Sequence, residues 1–241
     1  MRNLYLASIA LFITSVSISQ DQTSTTVQTD ITTMTTYSGT VGSNGSIMGV
    51  SGHNIEGKRL LLTHWVRGTV LTTNNASFGP NYLYNLDLLN NELLLKPLDA
   101  NTVLVVDKSQ TKSFALDSEG PTLYFEKQTN FEKKSEAAYY QVIGRGKKYT
   151  LYKENKVKFK KADPYDRNQY VSGNIYDEYV PEDYYYAVMP DQSVHSFKLN
   201  KKNLFKAFPA EQSKIEAYLS AHSDDKIDDA FLVGLMASLN E

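Results

Sequence analysis

The chain of 241 residues is 41% hydrophobic and 22% charged, a composition typical of globular proteins, and it is long enough to build a sizeable hydrophobic core. Its formal net charge of -2 gives no electrostatic support for binding to nucleic acid or to an anionic membrane surface. It contains no cysteine, which excludes disulfides, thiolate metal sites, a cysteine nucleophile and the lipid-bearing cysteine of a bacterial lipoprotein.

Residues 1–19 have the features of a signal peptide. Arg2 supplies a positive charge, and the apolar run over residues 4–16 is too short to remain in a bilayer as a membrane span. The small residues Ser17 and Ser19 lie three and one positions before the expected cleavage point, so we expect cleavage before Gln20. The sequence therefore predicts an exported protein, periplasmic or secreted, that keeps no transmembrane span after processing.

Residues 20–45 are predicted to form a disordered arm rich in Ser, Thr and Gly. Up to residue 36 nearly every side chain is Thr, Ser, Gln or Asp, and such a segment buries too little apolar surface to offset the entropy lost on ordering. Glycines then recur at short intervals and disfavour any helix. Residues 46–241 are expected to form a single β-rich domain.

From residue 59 onward, short alternating runs of apolar and polar residues predict an antiparallel sheet. The run over residues 82–88 places tyrosine and leucine on one face and ends at Asn90-Asn91, so a hairpin with a tight two-residue turn is expected. Such closely spaced strands need hairpin connections, which favour an antiparallel β meander or a barrel-like roll. Further strands are predicted over residues 102–107, 112–116, 123–127, 139–143, 148–153, 156–161, 184–189 and 194–199.

The hydrophobic period changes to that of helices over residues 200–240. Asn200 is expected to cap a first short helix that Pro209 stops, and a second helix follows. A third helix has an apolar stripe that we expect to pack on the sheet, formed by Ile227, Phe231, Leu235 and Leu239. The predicted class is therefore mainly β (α+β), with two or three short C-terminal helices.

Several short pieces of the sequence, in their order along the chain, resemble a group of uncharacterised exported proteins of Bacteroidetes-type bacteria. The resemblance covers residues 57–239, and what it implies is a secreted or periplasmic β-rich domain with no activity or binding residue to carry over. The pieces are Gly68-Thr69-Val70 after a Trp, Asn81-Tyr82-Leu83-Tyr84-Asn85, Asn91-Glu92-Leu93, Tyr139-Tyr140-Gln141-Val142, Leu151-Tyr152-Lys153 and the closing helical pair.

A basic stretch over residues 145–161 provides one candidate binding surface. Lys156, Lys158 and Lys160 are expected on one face of a strand, with Val157 and Phe159 on the other. Lysines commonly protect exposed sheet edges from aggregation, and this is the structural interpretation. The functional interpretation is a surface for polyanions such as lipopolysaccharide phosphates.

Tyrosines in the acidic stretch that follows provide a second candidate binding surface. Of these tyrosines, the residues predicted to contribute to binding are Tyr179, Tyr184 and Tyr186. Tyrosine rings beside carboxylates are suited to stack on sugars and bind their hydroxyls, or to form a protein-binding patch, and they are equally suited to packing. Because this stretch is acidic and the preceding stretch is basic, we expect the two to fold back on each other.

No catalytic, cofactor-binding or metal-ligating residue is assigned. The four histidines are far apart in the sequence and lack the close spacing of a local zinc signature. His64 alternates with Leu60, Leu62 and Val66, so it is predicted to be a half-buried strand residue. Serine is abundant but never lies in the frame of a nucleophile elbow.

The sequence favours a non-enzymatic β domain that binds a ligand or partner in the cell envelope, with an envelope protein or a glycan as the partner and no nucleic acid. One alternative is an envelope hydrolase acting on glycan or peptide, which needs a cleft where two carboxylates, or a histidine and a serine, converge. The other is a structural or assembly subunit whose arm adds to the sheet edge of another chain.

Export predicts a processed N-terminus. Intact mass and N-terminal sequencing of protein purified from cell envelopes should give a chain that begins at Gln20, because the small residues at 17 and 19 direct cleavage after residue 19. A mature pool that still begins at Met1 would contradict the signal peptide.

Overall fold

In a computed structural model of the protein, the described residues are 35–36, 40–41, 47–48, 55–79, 81–100, 102–129, 131, 136–162 and 176–241. The predicted signal peptide lies outside the described residues, as does most of the predicted arm. Of the arm, the structure describes only the backbone at residues 35–36 and 40–41.

The described chain is built from β-strands followed by three short helices, which confirms the predicted class. The helices are α1 Lys201–Ala207, α2 Gln212–Ala221 and α3 Asp229–Asn240. The strands are β1 Thr35–Thr36, β2 Thr40–Val41, β3 Ile47–Met48, β4 Ile55–Gly57, β5 Gly68–Thr72, β6 Ser77–Phe78, β7 Tyr82–Asp87, β8 Glu92–Pro97, β9 Leu104–Val105, β10 Thr111–Leu116, β11 Leu123–Gln128, β12 Ala138–Arg145, β13 Thr150–Glu154, β14 Val157–Lys160, β15 Asp177–Pro181, β16 Tyr184–Val188 and β17 Val194–Phe197.

The largest sheet, called the main sheet below, has eight antiparallel strands in the order β17-β16-β13-β12-β11-β10-β5-β6. Strands β10 to β13 follow one another as a meander, as the alternating runs predict. Among the described residues, the edge strands β6 and β17 each pair with a single neighbour, so the sheet is open. The meander is therefore correct and the barrel-like roll is not.

A second sheet has the order β1-β9-β8-β7 and contains the predicted hairpin. Its predicted two-residue turn is wrong, because Asp87 pairs with Glu92 and the connection has the four residues 88–91. The Asp87 carboxylate shapes this turn by accepting the backbone N–H of Leu89 at 2.9 Å. Asn91 adopts φ 54°, a left-handed conformation that asparagine tolerates better than most residues.

A buried ion pair fastens the preceding segment to this hairpin. Asp87 is fully buried, and Arg59 donates to its Oδ2 from Nη2 at 2.6 Å and from Nε at 3.0 Å. Two donors on one carboxylate offset the desolvation of both charges far better than a single contact. Beside it, the buried Asn85 side chain accepts from Leu62 N–H and donates to Leu62 C=O. These bonds fix residues 59–62 against β7.

A third, three-stranded sheet has the order β14-β15-β4. β14 and β15 are antiparallel, and β15 and β4 are parallel. The pairing of β14 with β15 confirms that the basic stretch and the acidic stretch fold back on each other. The parallel pair is an exception to the predicted antiparallel pattern.

One face of the main sheet carries the principal core, in two adjoining parts. In the first part, apolar side chains of β10 to β12, including Phe114 and Phe125, pack with Tyr84, Leu86 and Leu93 of the second sheet. In the second part, side chains of β12, β13 and β16 pack with the helices, and the set includes Ile143, Leu151, Ala187, Ile215, Phe231, Leu235 and Leu239. Burial of each large apolar side chain contributes about 1.5–3 kcal/mol, so these contacts dominate the stability of the fold.

The first helix begins where the sequence predicts, whereas the third begins at Asp229, after the predicted stripe residue Ile227. The Asn200 side chain caps α1 by accepting from Asn203 N–H at 2.9 Å, and Asp228 caps α3 by accepting from the N–H groups of Ala230 and Phe231. Ile227 precedes the helix and is only partly buried, so the predicted stripe starts one turn later than expected. The rest of the stripe is buried, which confirms that α3 packs on the sheet.

Two close contacts fix α3 against β12. A Cβ at Gly144 would lie 2.8 Å from the Cβ of Met236, so glycine is required for the helix to approach the strand this closely. At the other end, the Asn240 side chain accepts from the N–H groups of Lys148 and Tyr149 and donates to Tyr149 C=O. It thereby satisfies the backbone of the turn between β12 and β13.

The packing of α3 predicts a large effect of truncating its buried ring. Phe231→Ala should lower the free energy of unfolding by about 3–5 kcal/mol, because the cavity between α3 and the sheet is only partly refilled. Val233→Ala, on the same helix at 51% exposure, is the matched control and should change it by less than about 0.5 kcal/mol. Urea denaturation measures both, and equal stabilities of Phe231→Ala and the parent would contradict the packing.

Candidate functional site

The second face of the main sheet carries a row of aromatic side chains, called the tyrosine face below. Cross-strand pairing aligns Val142, Tyr152, Tyr186 and Ser196 from β12, β13, β16 and β17. Tyr140, Tyr152 and Tyr186 form a buried cluster there that contains no residue of the three helices. The helices pack on the other face, so the chemistry of the tyrosine face is separate from the principal core.

Phe131 lies at the centre of this cluster. Its ring centroid is 4.9 Å from those of Tyr140 and Tyr152 in edge-on contacts, and it stacks on Tyr186 at 5.5 Å. Aromatic pairs of this geometry stabilise by about 0.5–1.5 kcal/mol each beyond their buried area. Phe131 therefore orders the tyrosines beneath it and makes them a rigid part of the surface.

A charged network lies at the rim of the tyrosine face. Arg145 Nη2 is 2.6 Å from Glu126 Oε2, and the Tyr152 hydroxyl donates to the same oxygen at 2.8 Å. The hydrogen bond to Glu126 raises the pKa of Arg145, and burial together with Glu126 raises the pKa of Tyr152. The Tyr152 hydroxyl therefore stays neutral at neutral pH and lies in hydrogen-bond contact with both members of the ion pair.

Tyr124 is the exposed aromatic ring of this region, at 59% exposure. It lies two residues before Glu126 on β11, which places both on the same side of the strand, opposite the buried Phe125. An exposed tyrosine ring beside a fixed ion pair offers a flat apolar surface together with hydrogen-bond donors and acceptors. This combination is suited to bind a ligand that has both apolar faces and hydroxyl groups.

The structure separates the three tyrosines selected from the sequence. Tyr184 and Tyr186 lie on the tyrosine face, where Tyr186 is buried and Tyr184 is half-buried with Lys198 Nζ 4.9 Å from its ring centre. Tyr179 is buried in the third sheet, where its ring is 5.5 Å from that of Phe159. Buried rings support a surface, but they cannot stack directly on a ligand.

The three selected lysines lie in and beside β14. Lys158 and Lys160 are exposed on this edge strand, whereas Lys156 precedes it and is half-buried. The predicted alternation holds for Val157, which is buried, but not for Phe159, which is 39% exposed. The ring of Phe159 instead contacts that of its cross-strand neighbour Tyr179.

A second cluster of charged groups lies between the main sheet and α3. Lys153 Nζ is 2.8 Å from Asp229 and 3.1 Å from Asp183, and the Tyr185 hydroxyl donates to Asp229 at 2.7 Å. Burial opposes the charged form of Lys153, but the two carboxylates outweigh it and raise its pKa. Burial and then Asp229 raise the pKa of Tyr185. The groups satisfy one another, so this cluster anchors the start of α3 to β13 and β16.

The described histidines have separate, local contacts. His64 is exposed in a bend, so its predicted place on a strand is wrong: the bonds that Asn85 makes to Leu62 and to His64 C=O hold this segment in a bend. His195 Nδ1 is 3.0 Å from Ala207 C=O, and His222 stacks on Tyr218 with centroids 4.0 Å apart. His53 lies outside the described residues.

Within the described ranges, no group of three or more His, Cys, Asp or Glu residues is arranged to hold a metal ion. In the same part of the chain, no helix has the length and apolar character needed to cross a membrane.

Sequence reasoning missed the rim formed by Tyr124, Glu126, Arg145 and Tyr152. A signal for it was present, because Tyr124, Glu126 and Gln128 alternate with Phe125 and mark the outer face of a correctly predicted strand. The contact of Glu126 with Arg145, 19 residues later, depends on the pairing of β11 with β12 and not on local pattern.

Comparisons with known proteins give no match for this chain, whether to a family model, to a curated protein sequence or to a solved structure.

The Glu126 network predicts different effects for two Tyr→Phe substitutions. Tyr152→Phe should lower the free energy of unfolding by about 1–3 kcal/mol, because it removes a hydrogen bond to a charged partner. Tyr84→Phe is the matched control, since its buried hydroxyl has no partner among the described residues, and its removal should leave stability unchanged or raise it. Urea denaturation would contradict the network if Tyr84→Phe cost as much as Tyr152→Phe.

Proposed function

We propose that this protein is exported to the bacterial cell envelope and binds a glycan there, without catalysing a reaction, through the exposed rim of the tyrosine face. Export is supported by the apolar N-terminal run and the small residues at 17 and 19. Binding is supported by the exposed ring and the fixed polar groups on one sheet face.

The single observation that carries the binding proposal is the position of Tyr124 beside the Glu126–Arg145 pair. A sugar ring has apolar C–H faces that stack on an aromatic ring and hydroxyls that exchange hydrogen bonds with carboxylates and guanidinium groups. Because the ion pair and the Tyr152 hydroxyl already hold these groups in place, little side-chain entropy is lost on binding. The rim is thus preorganised for a polyhydroxylated ligand.

Binding is tested with the mature chain, residues 20–241, and two probes: purified peptidoglycan sacculi and soluble outer-membrane polysaccharide. We expect co-sedimentation or titration calorimetry to detect binding to at least one probe. Tyr124→Ala should weaken it by about threefold to tenfold, the loss expected for one aromatic contact. Tyr176→Ala, at 45% exposure outside the tyrosine face, is the matched control and should bind like the parent.

Three outcomes would overturn the proposal. If the protein binds neither probe, a glycan is excluded as the ligand. If Tyr124→Ala and Tyr176→Ala weaken binding equally, the tyrosine face is excluded as the binding site. Release of soluble fragments from the sacculi, detected by mass spectrometry, would identify the alternative envelope hydrolase instead.

A second candidate function is binding of a polyanion or an assembly partner at β14, and it is favoured by the exposure of Lys158, Phe159 and Lys160 on an edge strand. An edge strand offers unpaired backbone groups to another chain, and the lysines attract an acidic one. Lys158→Glu with Lys160→Glu should abolish this binding and leave glycan binding through Tyr124 intact. If the double lysine variant loses glycan binding while Tyr124→Ala binds glycan like the parent, the result would favour binding at β14.

A further inference from the structure

A cavity of about 170 Å³ borders the tyrosine face at one end of the main sheet, with Tyr140 of that face in its wall. Its wall is formed by the turn after β7, the start of β12 and the residues that end β13. It is smaller than the pockets of about 300–1,000 Å³ that hold drug-sized ligands, so it fits only a small molecule. Most residues of the wall are polar or charged, and these include Asn91, Lys108, Glu136, Glu154, Asn155 and Lys156.

Glu154 is the buried charge of this wall. Glu154 is only 8% exposed. Among the described residues, its side chain accepts one hydrogen bond, from the Tyr186 hydroxyl at 2.9 Å. No described lysine, arginine or histidine pairs with it. A buried carboxylate normally has a cationic or multiple hydrogen-bonding partner, because removal from water is costly. Glu154 therefore supplies the cavity with a carboxylate that pairs with no cation of the described residues.

Asn155, the next residue, adds a second acceptor. Its side-chain nitrogen donates to Gln141 Oε1 at 2.8 Å, which orients the amide. No described residue donates to its side-chain oxygen. A carboxylate and an amide oxygen together match the three donors of a primary ammonium group.

Cationic side chains line the same cavity. Lys108 Nζ is 3.4 Å from Asn91 Oδ1, and burial lowers the pKa of this lysine, which marks a site where its charge is poorly solvated. Lys156 also lines the wall. The two lysine ammonium groups would repel a ligand that has only positive charges, whereas they would attract the carboxylate of a ligand that also has one.

We propose that the cavity binds a small zwitterion with a primary ammonium group, such as a free α-amino acid or the amino-terminal residue of a very short peptide. The ammonium group pairs with Glu154 and Asn155, and the ligand carboxylate faces Lys108 and Lys156. This site stands on its own observations and does not depend on glycan binding at Tyr124.

The mature chain is titrated calorimetrically with a panel of free α-amino acids of both hands and with alanylalanine. The best ligand is compared with its N-acetyl derivative, which lacks the ammonium group, and with its amide, which lacks the carboxylate. We expect both blocked forms to bind at least about tenfold more weakly, since each loses one charge-assisted contact.

Glu154→Gln should also lower the affinity for the best ligand at least about tenfold, because the substitution removes the charge and keeps an acceptor for Tyr186. Glu211→Gln is the matched control: this carboxylate also accepts from a tyrosine hydroxyl, that of Tyr149, but does not line the cavity, so the variant should bind the ligand with the affinity of the parent. If Glu154→Gln does not fold, Lys108→Met takes its place in the test. Lys108→Met should lower the affinity for the zwitterion and leave the affinity for its amide unchanged.

The inference is overturned if no member of the panel binds more tightly than about 1 mM, or if the N-acetyl form binds as well as the free ligand. Equal losses of affinity in Glu154→Gln and Glu211→Gln would also overturn it. Tyr124→Ala should keep full zwitterion affinity, so failure of the glycan proposal and failure of this one are told apart.

Discussion

Burial of one face of the main sheet is the constraint on which the other features depend. Because side chains alternate along a strand, residues such as Phe125 and Leu151 must face the second sheet and the helices, and their neighbours must face the other way. Tyr124, Glu126 and Tyr152 are those neighbours. The position of the tyrosine face is thus a direct consequence of how the core is packed, and loss of the core register would move every residue of the rim.

Among the described residues, the carboxylates that pair with a cation also link separate elements. The buried Asp87 is paired with Arg59, and the partly exposed Asp229 is shared by Lys153 and Tyr185. Each of these groups ties two separate elements together, so its desolvation is offset by a structural link. Glu154 differs because its only described partner is a neutral phenol. A ligand that supplies the cation would complete the same pattern, and this contrast distinguishes the cavity from the structural ion pairs.

Local pattern was sufficient for the strands of the meander and for the three helices, because alternation and capping by Asn200 or Asp228 depend on neighbours in sequence. Local pattern was insufficient where contacts between distant residues determine the structure. In the hairpin turn, the Asn91 side chain bonds to the backbone of Tyr139, 48 residues away. The Asp87 side chain accepts from Leu89 N–H in the same four-residue turn. The placement of β5 beside β10 and the meeting of Glu126 with Arg145 likewise require the tertiary pairing itself.

The most direct test of the proposed binding surface is a map of amide chemical-shift changes when the mature protein is titrated with soluble glycan fragments. The account predicts that the changes centre on β11 and β12 around Tyr124, Glu126 and Arg145, and that the helices stay unperturbed. Changes confined to β14 and β15, or to the helices, would contradict it.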